Sequence, residues 1–434
     1  MKRSEIVDIE PGKLKAVREK AGIAQIKVSK LMGYGHSELG RLENNIKVLR
    51  QDALDAFRKA LGIEGTPLSR NEIKRYEKDL DEWRDLFILG GTKEVIEQHA
   101  MVVKAVEWSL SERLRYLYDI YCPMYYFVVN DVDALDKSLA VLKEREPDLN
   151  SEHRYWYYRM SATRKLMDYQ YKSALKIYFE AAEMTKVIPP LIDGGPNGNI
   201  SYCLSFMGYS SLAIAYLEKI QQKMDMVSNY KHIVSNKSLL ALNYINVGRI
   251  SEALAMLKGC LLDLTESDDL QIVKSGIYFN MAEAYMRMDD YDKAVESAGK
   301  ACEHMKAGNG EYAYALYKKA FVLEGLGCID ECRQCLNEAE VISSSDETLT
   351  GLLIKTLKHS LSLDNEESMM YIEDVAIDKL KDRGLNLQLL HCYEKLSEYH
   401  GSGQGRGNKH KVSLTYMMLA NTINKKLRNG DLDL

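Results

Sequence analysis

Proline is scarce in this sequence, seven in 434 residues, and three of the seven fall in one stretch, IPPLIDGGPNGNIS (188–201). So few residues that lack an amide hydrogen leave long segments free to run as helix. Phenylalanine and tryptophan are also few, 7 and 3, so the 28 tyrosines carry most of the aromatic volume. No apolar run reaches the roughly 18 residues that cross a bilayer, and the opening MKRSEIVDIEPGK has no apolar stretch of the kind that directs secretion. These absences predict a cytoplasmic protein with no membrane partner, in which the eight cysteines are thiols in helix cores rather than a disulfide framework. Catalytic signatures are missing as well: there is no GxxxxGK[ST], HExxH, GxSxG or convincing dinucleotide fingerprint. The glycines of GSGQGRG (401–407) follow a helical pattern, not a strand. Cys328, Cys332 and Cys335 have metal-like spacing, with Cys302 and His304 not far off in sequence, but Cys332 and Leu336 sit at core positions of a repeat. His391-Cys392 likewise fits packing better than nucleophilic chemistry. No enzyme activity, cofactor or metal is expected.

The net charge of −5 hides an asymmetry. Residues 1–62 hold 13 Lys+Arg against 8 Asp+Glu, a balance of +5, which leaves the remainder at −10. A small basic head on a long acidic body suits contact with a polyanion through the head alone.

Helical periodicity fills most of the chain, and from 236 to 342 one pattern occurs three times. Ala241, Tyr244, Gly248, Ala253, Leu257 and Cys260 have the same internal offsets as Ala282, Tyr285, Asp289, Ala294, Ala298 and Ala301, and as Ala320, Leu323, Gly327, Cys332, Leu336 and Ala339. Each copy predicts two antiparallel helices, with small residues where they approach. The offsets resemble the tetratricopeptide (TPR) signature, W-x2-L-G-x2-Y then A-x3-F-x2-A. The spacing is longer: 41 residues separate Ala253 from Ala294 and 38 separate Ala294 from Cys332, against about 34 in the standard repeat. Weaker copies built on Ser138, Ala174 and Ser413, on Ala213 with Tyr216, and near 349–380 give about eight pairs, with 188–201 read as a loop. In the TPR register, residues two before, one after and four or five after the first helix's small residue face a concave groove. The resemblance therefore places Asn246, Asn280, Glu283, Arg287, Tyr317, Lys318 and Phe321 there, and Arg159 from an earlier copy. Asparagine amides can donate to and accept from an extended peptide at once.

Residues 12–62 divide into short amphipathic helices. LKAVREKAGIAQ (Leu14–Gln25), Leu31-Met32-Gly33, Leu39 with RLEN (Arg41–Asn44) and ALG (Ala60–Gly62) resemble the phage-repressor-like (XRE) helix-turn-helix. In that family the third helix enters the major groove. The resemblance puts His36, Ser37, Glu38 and Arg41 on its exposed face, Arg41 suited to a guanine, and makes Gln25, Lys27 and Lys47 phosphate contacts by position. An intramolecular ion pair between Arg41 and Glu43 is the structural alternative. Ala24 stands where Ser or Thr usually caps the second helix, Ser29 replaces a buried Ala, and Asn45 replaces a Gly; a lost cap costs about 1 kcal/mol. GIEGTPLS (62–69) is a linker, and Ser69 with Glu72 forms a capping box for the charged helix that follows, which either joins head to body or pairs with a symmetry mate.

The chain is thus expected to be all-α: a helix-turn-helix over 1–66, a linker helix and the start of the array over 67–104, and a TPR-like right-handed α-solenoid over 105–434. That arrangement resembles the RRNPP family of bacterial peptide-pheromone receptors. The resemblance implies a homodimeric transcription regulator that binds double-stranded operator DNA and is controlled by a short signalling peptide in the groove. The alternative is a Rap-like interaction protein that sequesters a partner protein under peptide control.

Overall fold

The computed structural model describes residues 14–15, 18–19, 22–44, 46–47, 50–60, 70–88, 92–109, 111–188, 196–224, 230–264, 270–402 and 409–432. Among these there are helices and turns and no strand, and no helix is long and apolar enough to cross a membrane. The chain divides into two compact units, residues 1–157 and 158–434.

The first unit opens with three short helices, α1 (Gln25–Met32), α2 (His36–Glu43) and α3 (Gln51–Ala60). Gly22 and Gly33 take left-handed φ values of +67° and +72°, which end one helix and turn into the next. Leu14, Val28, Leu39, Leu42 and Phe57 are buried together, so each helix hides one apolar stripe. Ala24 starts α1 with no side-chain cap. The Ser29 hydroxyl, buried where alanine is usual, donates to the Ile26 carbonyl at 3.0 Å and is satisfied. Leu61 and Ile63, the linker and the Ser69 cap lie outside the described residues.

Four longer helices follow: α4 (Arg70–Ile88), α5 (Thr92–Ser109), α6 (Glu112–Val128) and α7 (Val132–Glu144). α4 packs on α5 and α6, burying Leu80 and Trp83. The Trp83 indole donates to the Val95 carbonyl at 2.9 Å. That contact covers Leu80 and Trp83 of the apolar face of α4 within its own unit, while Ile73, Tyr76, Leu86 and Phe87 stay partly exposed. Arg84 lies over the Tyr121 ring at 5.3 Å and reaches Asp81, Asp85 and Glu152 at 3.0 to 3.2 Å.

The second unit is built from helix pairs. α8 (Ser151–Met167), in which the division falls, leads to α9 (Tyr171–Met184). Then come α10 (Asn197–Phe206) with α11 (Ser210–Met224), α12 (Tyr230–Asn246) with α13 (Ile250–Asp263), α14 (Gln271–Met286) with α15 (Tyr291–Glu303), and α16 (Gly310–Gly325) with α17 (Ile329–Ile342). The small residues of the three central copies are buried where paired helices meet. Tyr169, Gly208, Gly248, Asp289 and Gly327 all have left-handed φ, and the amide after each reaches back to the carbonyl five residues earlier, as Arg249 does to Tyr244 at 2.8 Å. The same Schellman turn thus closes successive first helices.

Two expectations need correction here. Asn197–Ser201 is not loop but the start of α10. Ala213, read as the small residue of a first helix, sits on the second helix of its pair, because Gly208 at φ +84° ends α10 earlier than periodicity suggests. The array finishes with α18 (Leu349–Ser360), then α19 (Glu366–Tyr371), a π turn (Ile372–Ala376) and α20 (Ile377–Arg383), and the pair α21 (Asn386–Gly401) and α22 (Lys409–Asn429). Its end meets its beginning: the Asn386 amide donates to the Met207 carbonyl at 2.9 Å, and the Tyr209 hydroxyl to the Asp431 carbonyl at 3.1 Å.

Candidate functional site

Two regions carry the residues singled out in the sequence. In the head, α2 buries Leu39 and Leu42 and leaves His36, Ser37 and Arg41 exposed, with Lys27 exposed on α1. Glu43 does not pair with Arg41. It is 3% exposed and held by Arg18, with Nε to Oε1 at 2.7 Å and Nη2 to Oε2 at 3.1 Å. Gln25 also donates to Glu43, at 2.9 Å, so its amide is engaged within the fold. Lys47 is ion-paired with Glu38. The Glu43 side-chain hydrogen bond raises the Arg18 pKa further above its usual value, against the opposing effect of burial. This buried pair clamps the start of the head to the end of α2. The sequence reading missed Arg18, although the glutamate of RLEN was the available signal.

In the second unit, Asn246, Asn280, Glu283 and Arg287 come together in a line across the first helices α12 and α14. The Asn280 amide donates to both the carbonyl and the hydroxyl of Ser238 at 3.1 Å. Arg287 donates to the Ile245 carbonyl at 3.3 Å and to the side chains of Asn246 and Glu283, each at 3.1 Å. Tyr317 is buried on α16, which pushes its phenol pKa up, and Phe321 meets His391 of α21 edge-on, ring centres 5.9 Å apart. Lys318 is half-buried on the same helix. Arg159 is buried in α8.

The sequence analysis overlooked Asn243, fully buried on α12. Its amide donates to the Ser205 hydroxyl at 2.7 Å and the Leu239 carbonyl at 2.8 Å, while its carbonyl oxygen has no partner among the described residues. It also overlooked an aromatic cluster. Tyr171 stacks on Phe206 at 5.1 Å, and Tyr202 packs on Phe206 at 4.6 Å. Tyr202 keeps 38% of its surface accessible, yet burial raises its phenol pKa, with Tyr314 of α16 raising it further. The signal was present as Tyr202 and Phe206 four residues apart, but α10 begins in a stretch taken for loop.

The cysteines are a poor fit to thiolate chemistry. Burial pushes Cys203, Cys332 and Cys392 up to about 12 and Cys302 up to about 11, leaving each protonated near neutrality. Among the described residues, no three His, Cys, Asp or Glu side chains gather where they could hold a metal ion.

The head and the repeats are thus a helix-turn-helix and a TPR-type helical array. Residues 14–68 match the helix-turn-helix family model, and residues 275–303 match the tetratricopeptide repeat model. No curated protein matches the chain by sequence. Among solved structures, the apo form of the quorum sensor NprR from B. thuringiensis is similar, with TM-score 0.61 and 19% identity over 81% of this chain and 99% of that one. NprR in complex with its cognate peptide NprX has TM-score 0.67 and 16% identity over 80% and 98%. A Rap protein complexed with competence and sporulation factor has TM-score 0.68 and 13% identity over 82% and 99%. The fold is that of these structures.

Proposed function

We propose that this chain is an RRNPP-type regulator that binds operator DNA as a homodimer through α2 and is controlled by a short signalling peptide held inside the repeat array. The observation that carries the reading is the line Asn246–Asn280–Glu283–Arg287, which runs across two successive first helices. Amide and guanidinium groups there suit the backbone of an extended peptide, to which they can donate and from which the asparagines can accept. NprR, whose fold the array shares, was solved with its cognate peptide NprX bound, and a Rap conjugation gene regulator of similar fold with the Phr* peptide. Within the head, Lys27, His36, Ser37 and Arg41 form the exposed set available to DNA, while Gln25, Glu38 and Lys47 would contact it only after giving up internal partners.

The DNA arm is tested by anisotropy titrations on DNA flanking the protein's own gene across a range of salt. Arg41→Ala should weaken binding about tenfold or more by removing a base contact, and Lys27→Ala should lower the salt slope by about one. Absence of wild-type binding at low salt, with and without peptide, would favour the second reading. In that reading the chain sequesters a partner protein, which fits the uncapped start of α1 and the engagement of Gln25, Glu38 and Lys47 within the head.

A further inference from the structure

The last helix, α22, packs one side against α21 and turns the other to solvent. Ala420 is buried, the Ser397 hydroxyl donates to the Ser413 carbonyl at 3.1 Å, and the Tyr416 ring stacks on Tyr393 with ring centres 6.0 Å apart. These contacts fix which side faces out. Along that outer side, at the three- and four-residue steps that bring side chains onto one face, run Lys411, Leu414, Met418, Asn421 and Lys425, with Met417 beside them. Leu414, Met417 and Met418 are 49%, 47% and 61% exposed, three large apolar side chains side by side in water. Apolar residues scattered singly over a surface are ordinary, whereas a contiguous group marks a contact surface.

The charges on the same face narrow the choice of partner. α22 carries no Asp or Glu over its 21 residues. Lys411 and Lys425 are exposed and make no ion pair among the described residues. Glu373 is bound to the Tyr416 hydroxyl, and Asp431, past the helix end, accepts from the Asn429 amide at 3.3 Å. The outer stripe is therefore cation, apolar, cation, its two lysines about 21 Å apart along the axis at 1.5 Å per residue. A second copy of α22 fits it poorly, since antiparallel pairing sets Lys411 against Lys425 and parallel pairing sets each lysine against itself. A lipid surface fits poorly too, because a helix lying in that interface keeps its cations on the face opposite its apolar side chains, not in line with them. We propose that the outer face of α22 docks an amphipathic helix of a partner protein, one that carries carboxylates at both ends of a short apolar stripe. The partner's apolar side chains cover Leu414, Met417 and Met418, the thioethers adapting to their shape. Its carboxylates, about 14 residues apart, meet Lys411 and Lys425. The surface is separate from the Asn246–Arg287 line and stands whether or not that line holds a peptide.

The test uses the full-length protein and, as probe, a labelled stapled helix with Glu at both ends of a leucine stripe, followed by fluorescence anisotropy. Its controls are the same helix with Lys at both ends and the same helix with Ser for each leucine. The Glu-ended helix should bind at least tenfold more tightly than either control. Leu414→Ser with Met418→Ser should weaken it at least tenfold, with unchanged helicity confirming the fold. Lys411→Glu with Lys425→Glu should invert the preference in favour of the Lys-ended helix. No binding of the Glu-ended helix, equal binding of either control, or affinity within twofold in the double-serine variant would overturn the assignment. Phosphatidylglycerol vesicles held by the wild type but not by that variant, without binding of the helix, would give the face to lipid instead.

Discussion

Gly208 and Gly248 occupy equivalent turns with nearly the same φ, +84° and +85°, but not the same surroundings. A Cβ on Gly248 meets nothing within 4 Å, so Gly248→Ala measures the left-handed backbone penalty alone, about 1–2 kcal/mol. A Cβ on Gly208 also presses on Leu387 and Leu427, so Gly208→Ala should cost more. Urea unfolding of the two variants checks the order; equal losses would mean that the joined ends of the array yield without resistance. In the head, Arg18→Ala leaves Glu43 buried without a counter-ion, held only by the Gln25 amide, a change worth up to about 3–5 kcal/mol. Hydrogen exchange of the α2 amides should accelerate accordingly, while Arg41→Ala, on the exposed face, should leave it unchanged.

The helices of the first unit carry a pH dependence of their own. His99 stacks on Tyr125 with ring centres 3.4 Å apart and lies 3.1 Å from the Tyr118 hydroxyl; burial holds its pKa below the usual 6.5. Burial does the same to His153. The unfolded chain then takes up protons at a higher pH than the folded one does. The stability these residues contribute is fully present above about pH 6.5 and is lost as pH falls through the depressed folded values. His99→Phe keeps the stack and removes one titration, so its melting temperature should fall less between pH 7 and pH 5 than the wild type's; parallel profiles would contradict the assignment. The same elements mark what the sequence could reveal. The three central pairs were legible because alanines and tyrosines recur at fixed offsets, and the head because its glycines and RLEN segment lie at fixed spacing. α10 was not legible: Pro196 and Gly198 resemble loop composition, and only burial of Ile200, Cys203 and Leu204 makes that segment a helix. Asn243 was hidden for a related reason, since its role depends on Ser205 of that unrecognised helix.

Across the second unit, each pair touches mainly its neighbours, so small rotations between pairs add along the array. The contacts at Met207, Tyr209, Asn386 and Asp431 join the accumulated ends, so the proposed peptide would act on ends that are already joined. Asn280 is central to this account, and its amide already serves an internal bond to Ser238. Ser238→Ala weakens that bond without removing the asparagine, and so separates internal support from ligand contact. The most direct measurement is native mass spectrometry of the protein purified from its own host, with operator affinity measured before and after any bound peptide is removed. The account predicts a short peptide on the wild type and on Ser238→Ala, its loss from Asn280→Ala, and at least a tenfold change in operator affinity when it dissociates. A wild-type protein that carries no peptide and binds DNA identically in the presence of host peptide extract would contradict it.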